Sequence, residues 1–116
     1  MTGASRGIGR ALVAEALARG AARVYAGLRQ PLEHPDERVT PLILDITSPE
    51  QVREAASQVQ SLDILVNSTG VFLFDDLSDR AALEGHLAVN LCGTYDVVQA
   101  FLPALTRSGG AIVIIG

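Results

Sequence analysis

The chain contains no lysine: all nine of its basic residues are arginines, set against 13 acids. Tryptophan is also absent, and aromatic residues make up only 4% of the sequence. A single cysteine, Cys92, cannot close an internal disulfide, which fits a reducing compartment such as the cytoplasm. The net charge of −4 and the pI near 5.0 leave no basic footprint, so nucleic acid is not an expected partner. No apolar run is long enough to span a bilayer, and no charged-then-apolar leader opens the chain, so no membrane partner is expected either. Repeats and low-complexity tracts are missing. So is any Ser-His-Asp or Cys-His arrangement. His34 lies in a proline-flanked loop, and His86 has no acid or cysteine at ligand spacing. Asp75, Asp76 and Asp79 gather at a helix start, where acids suit the helix dipole, so no metal site is expected.

What is present is ample for one domain: 116 residues, 48% of them hydrophobic. The most informative stretch is Thr2-Gly3-Ala4-Ser5-Arg6-Gly7-Ile8-Gly9, followed at once by a helical pattern. Glycines let a backbone turn sharply and approach a bulky anion without Cβ clashes. The helix start behind them offers unpaired N–H groups and a positive dipole end. The spacing Gly-x-x-x-Gly-x-Gly therefore reads as a pyrophosphate cradle, although a plain helix-initiating turn would use the same residues.

The remaining pattern alternates strands and helices. Ile8, Leu12, Val13, Ala16 and Leu17 form one helical stripe, and Gly20 sits where a helix end wants positive φ. Short strands are expected at residues 23–27, 39–44, 64–66 and 111–115. Ser48-Pro49-Glu50-Gln51 predicts a helix start, with Ser48 as cap, Pro49 in the first helical position and Gln51 closing a capping box. Ser78 is expected to cap a long helix carrying Leu83, Leu87, Leu91, Val97, Val98, Phe101 and Leu105, bent or interrupted near its end by Pro103. Such alternation argues for an α/β fold, a doubly wound parallel sheet with helices on both faces.

The glycine loop with its leading threonine resembles the cofactor loop of the short-chain dehydrogenase/reductase family. Further positions match that family in order: Arg29 after the second of its strands, Asp45 ending the third, Asn67-Ser68-Thr69-Gly70 ending the fourth, and Asn90 within Val89-Asn90-Leu91-Cys92-Gly93. The resemblance covers essentially all of residues 1–116 and implies a partial NAD(P)-binding Rossmann domain. It implies hydride transfer between a carbonyl and an alcohol, a small-molecule substrate and, for the complete parent, a homo-oligomer.

By resemblance, Gly3, Ser5, Arg6, Gly7, Ile8 and Gly9 would hold the cofactor's phosphates, and Asp45 with Ile46 its adenine. The stretch from Asn67 through Ser68 and Thr69 to Gly70 would form a wall beside it, departing from the family's usual Asn-Asn-Ala-Gly. Asn90 would be the fourth catalytic residue, ordering a water of the proton relay; a helix kink or a satisfied core amide is the plainer alternative. Asp45 could equally end a strand or cap a turn. Arg29 lies 20 residues after Gly9, where an acid would accept from the ribose 2′-OH of NAD and an arginine would pair with a 2′-phosphate. Gly27-Leu28-Arg29 supplies no acid, and Arg6 adds a second guanidinium, so NADP is expected over NAD.

The family's first strand would precede Thr2, and its catalytic Ser and Tyr-x-x-x-Lys pair would follow residue 116. With no lysine in the chain, neither Tyr25 nor Tyr95 belongs to such a pair. The expectation is a cofactor-binding piece clipped at both ends, inactive and poorly folded alone because two strands lose the neighbour between them. A non-catalytic nucleotide-binding module, or a truncated gene product without function of its own, are the alternatives.

Overall fold

The computed structural model describes residues 1–30, 32–69 and 79–115. In chain order these form α1 (Gly7–Ala18), β1 (Val24–Leu28), β2 (Val39–Ile43), α2 (Pro49–Ser57), β3 (Ile64–Asn67), α3 (Arg80–Leu87), a π-helical turn (Ala88–Gly93), α4 (Thr94–Ser108) and β4 (Ala111–Ile114). The strands pair in parallel, β1 with β2 from Val24↔Val39 to Leu28↔Ile43, and β3 with β4 from Ile64↔Ala111 to Asn67↔Ile114.

Between the two pairs lies the start of the chain. The Met1 amine donates to Tyr25 O at 2.7 Å, and Gly27 N–H donates to Met1 O at 2.8 Å. On the other side, Thr2 N–H donates to Val66 O at 3.0 Å. Met1 and Thr2 thus stitch β1 to β3 through backbone bonds. The gap that the sequence reading left between these strands is filled at this end by two residues in extended pairing.

Side-chain alternation along the strands assigns the two faces. Val24, Ala26, Leu28 and Val39 pack with Val13 under α1. Leu42, Leu44 and Leu65 point the other way, into a second core with Val52, Val97, Phe101 and Leu105 from α2 and α4. Helices therefore cover both faces of the β1–β2 pair, as a doubly wound sheet requires. β4 is exposed at all of its described positions. Among the described residues, no helix is long and apolar enough to cross a membrane.

The element boundaries follow local chemistry. Ser48 Oγ accepts from Gln51 N–H, and Pro49 opens α2 where a missing N–H costs nothing. Asp79 caps α3 by accepting from Ala81 N–H at 2.9 Å. The expected cap, Ser78, lies outside the described residues, as do Asp75 and Asp76. The long helix differs from the expectation in two ways. A π-helical turn separates α3 from α4, and α4 runs through Pro103 to Ser108 instead of stopping. Pro103 and Gln99 are both exposed, so the carbonyl freed by the proline is on the wet side of the helix.

Candidate functional site

Gly3 and Gly7 have φ of +62° and +60°, a region that favours glycine, and they turn the chain from Met1–Thr2 into α1. Gly9 is required for a different reason. A Cβ there would stand 2.0 Å from Gly3 O and 2.8 Å from Ser68 Oγ. The first turn of α1 packs directly on its own entry loop, and only a glycine allows that approach. Arg6, at the N-cap, makes no side-chain cap, and the first turn carries no acid. The opening N–H groups of the helix are left to whatever occupies the space beside them.

That space is a cleft of about 460 Å³, within the range of small-molecule sites. Gly3, Ser5, Arg6, Gly7, Ile8 and Gly9 form one wall, Arg29 stands at the end of β1, Asp45 and Ile46 follow β2, and Ser68 and Thr69 follow β3. Residues from sites spread across the first 69 positions are thereby brought together at the C-terminal ends of parallel strands, where ligands of open α/β sheets bind. A second opening of about 530 Å³ adjoins it, lined by Ser5, Arg6, Arg29, Gln30 and Leu32. Arg6 and Arg29 are exposed, and neither forms a salt bridge among the described residues.

Asp45 is held in one orientation. Its Oδ1 accepts from Thr47 N–H at 2.9 Å and from Thr47 Oγ1 at 2.6 Å. The Thr47 hydroxyl, then the Thr47 amide, and more weakly the Arg29 charge, hold its carboxyl below the usual carboxylate range. It is an anion at neutral pH, able only to accept.

Asn67 does not line the cleft. It shares a pleat with buried Leu65 and lies beneath the wall, where its Oδ1 accepts from the Thr2 hydroxyl at 2.9 Å. Its Nδ2 is buried with no hydrogen-bond partner among the described residues. The same hydroxyl accepts from Ser68 N–H at 3.1 Å and Thr69 N–H at 3.3 Å, while Ser68 Oγ donates to Thr2 O at 2.8 Å. Thr2 is therefore the pin that fastens the glycine loop to the end of β3. Gly70 lies outside the described residues. Asn90 sits on the exposed side of the π-helical turn, next to Val89, which does line the cleft. Such turns recur at functional sites.

Sequence reasoning passed over Gly27, Leu44, Thr47 and Val89, all of which line the cleft. The Asp-x-Thr spacing of Asp45 and Thr47 carries a signal for an Asx turn that would have found Thr47. Nothing local marks Leu44 or Val89. Among the described residues, no group of three or more His, Cys, Asp and Glu could hold a metal.

Parallel strands, helices on both faces and a glycine-turn cleft at the strand ends define a Rossmann-type α/β protein. The chain belongs to the short chain dehydrogenase family, which it matches over residues 1–116. It is 34% identical over 130 residues to mouse estradiol 17-beta-dehydrogenase 2, covering 97% of this chain and 34% of that protein. Among solved structures it is similar to a short chain dehydrogenase from Burkholderia cenocepacia in complex with NADP, with TM-score 0.92, 40% identity, and 97% and 50% of the two chains covered. An alcohol dehydrogenase from Thermococcus sibiricus, complexed with 5-hydroxy-NADP, aligns with TM-score 0.82 and 30% identity over 98% of this chain and 55% of its own. The chain spans about a third to a half of the length of such relatives.

Proposed function

We propose that this chain is the dinucleotide-binding part of an NADP(H)-dependent oxidoreductase acting on a carbonyl or alcohol. The glycine loop and the start of α1 take the pyrophosphate, with Gly3 and Gly7 turning the chain and Gly9 letting α1 close on its own loop. Asp45 and Ile46 take the adenine, and Ser68 with Thr69 forms the wall beyond it. Arg6 and Arg29 take the 2′-phosphate. The bound nicotinamide would supply or accept the hydride; the protein binds and orients it. Asn90 is the candidate for ordering a water in the proton relay. Its relay partners in the family are a tyrosine and a lysine, and these 116 residues contain no lysine. We therefore expect no turnover from this chain by itself. In the assembled parent, a second copy would cover the exposed Leu83, Leu87, Leu91 and Tyr95, which recur every four residues along the helical stretch.

The observation that carries the cofactor reading is the pair of guanidiniums, Arg6 and Arg29, that have no salt-bridge partner among the described residues and stand around one opening beside the glycine cradle. A phosphate there would receive charge-assisted hydrogen bonds from both. Fluorescence titration of the chain with NADPH and NADH tests it. NADPH should bind more tightly. Arg29→Ala should weaken NADPH by about tenfold or more, as loss of a hydrogen bond to a charged group does, and leave NADH nearly unchanged. Equal losses for both cofactors would reduce Arg29 to a structural residue. Failure to bind either would overturn the cofactor reading.

A further inference from the structure

The spacing Ser48-Pro49-Glu50-Gln51 predicts that the Gln51 side chain returns to Ser48 N–H. It does not. Gln51 Oε1 accepts from Asp45 N–H at 2.8 Å, while Ser48 N–H donates to Asp45 O at 2.9 Å. Both backbone groups of Asp45 are thus tied to the first turn of α2. Because Thr47 holds Oδ1, Oδ2 is the oxygen left to a ligand. Asp45 lines the cleft; Gln51 touches Asp45 from behind and does not line it.

We propose that Gln51 is a positioning residue that makes the cleft selective for an amino-bearing base, its carboxamide oxygen fixing the Asp45 backbone so that Oδ2 meets the exocyclic amine. The inference rests on the dinucleotide reading above. A carboxylate accepts and cannot donate. Adenine presents an N–H₂ to it. Hypoxanthine presents a carbonyl oxygen at that position, which the carboxylate repels, and carries its donor one atom away, at the ring N1–H. That discrimination survives only while Oδ2 stays in place, and the Gln51 bond is the side-chain contact that holds the Asp45 amide there.

The test compares NADPH with its hypoxanthine analogue, each titrated into the chain. The unaltered chain should prefer NADPH by about tenfold or more. Gln51→Leu, which removes the acceptor, should bring the two ligands within about twofold of each other. Gln51→Glu keeps an acceptor at the same reach, and an acid suits the first turn of a helix, so it should retain the preference. Ser48→Ala removes the α2 cap without touching Asp45; it should lower thermal stability and keep the preference. Should Gln51→Leu fail to melt cooperatively, Gln51→Ser, too short to reach Asp45, serves in its place. The inference is overturned if the acceptor-less variant keeps the preference, if Gln51→Glu loses it as fully, or if the unaltered chain binds both ligands equally. An unaltered chain that binds neither ligand overturns the dinucleotide reading, and this inference with it.

Discussion

Thr2→Val is the substitution that most directly probes how the cleft is held together. Valine matches threonine in shape, so little packing volume changes. Thr2 is 2% exposed, and its hydroxyl serves three partners: Asn67 Oδ1 at 2.9 Å, Ser68 N–H at 3.1 Å and Thr69 N–H at 3.3 Å. All three lose their bond at once. Asn67 suffers most, because its Nδ2 already has no partner among the described residues and its carboxamide would then lack the Thr2 bond as well. A net hydrogen bond is worth about 1 kcal/mol, and a buried group left without one costs about 1–3 kcal/mol. The Ser68 and Thr69 amides are only partly shielded, so water recovers part of their loss. The expected destabilisation is about 2–4 kcal/mol, a large share of a typical total of about 5–15 kcal/mol. In a chain of this size it lowers the melting temperature by roughly 10 °C. Thr2→Ser keeps the hydroxyl and loses one buried methyl, at about 1 kcal/mol. Urea unfolding of the three proteins, followed by circular dichroism, measures the differences. A Thr2→Val loss within about 0.5 kcal/mol would refute the claim that the hydroxyl pins the loop to β3. So would a serine variant as unstable as the valine variant.

Two further outcomes follow from the same geometry. Gly9→Ala should damage stability and cofactor binding far more than Gly7→Ala, because a Cβ at residue 9 meets Gly3 O at 2.0 Å whereas one at residue 7 meets nothing within 4 Å. Gly7→Ala should cost only the left-handed strain of about 1–2 kcal/mol, and thermal melts with NADPH titration separate the two. Stability should also depend on the Met1 amine, which burial lowers from 8.0 to about 6. The unfolded chain then holds the extra proton between those values, so stability rises as pH increases from 6 to 8, by at most about 3 kcal/mol. Acetylating the amine should flatten that rise, and an unchanged pH profile would show that the amine is not buried in the fold.

Much of the fold was legible because it rests on periodicity and on glycine. The strand runs around Val24, Val39, Ile64 and Ala111 each became a strand within a residue or so of the expected ends. The glycine spacing foretold a turn into α1, but not why Gly9 is needed: the sequence reading gave its Cα to an approaching phosphate, whereas the nearest obstacle is the loop's own carbonyl. Chain crossings that depend on distant partners were not legible. Nothing near Met1 announces that its amine and carbonyl bond to β1 while the next residue bonds to β3. Asn67 was expected in the wall, yet strand alternation puts it on the Leu65 side, beneath Thr2. The capping-box pattern misled because Asp45 O had already taken Ser48 N–H, freeing Gln51 for Asp45. The leucines spaced by four read equally well through a π turn as through an α-helix. A Cβ at Gly93 would come within 2.8 Å of the Ile46 side chain, so the turn packs closely on a residue of the cleft wall.

The central claim is that residues from the glycine loop, the end of β2 and the end of β3 form one dinucleotide site. Amide chemical shifts of the isotope-labelled chain, recorded during titration with NADPH, test it residue by residue. The account predicts saturable shifts concentrated at Gly3 and Ser5 to Gly9, at Arg29, at Asp45 to Thr47, and at Ser68 and Thr69, with NADH moving the same set except Arg6 and Arg29. Shifts confined to other surfaces, or a spectrum that NADPH leaves unmoved, would contradict it.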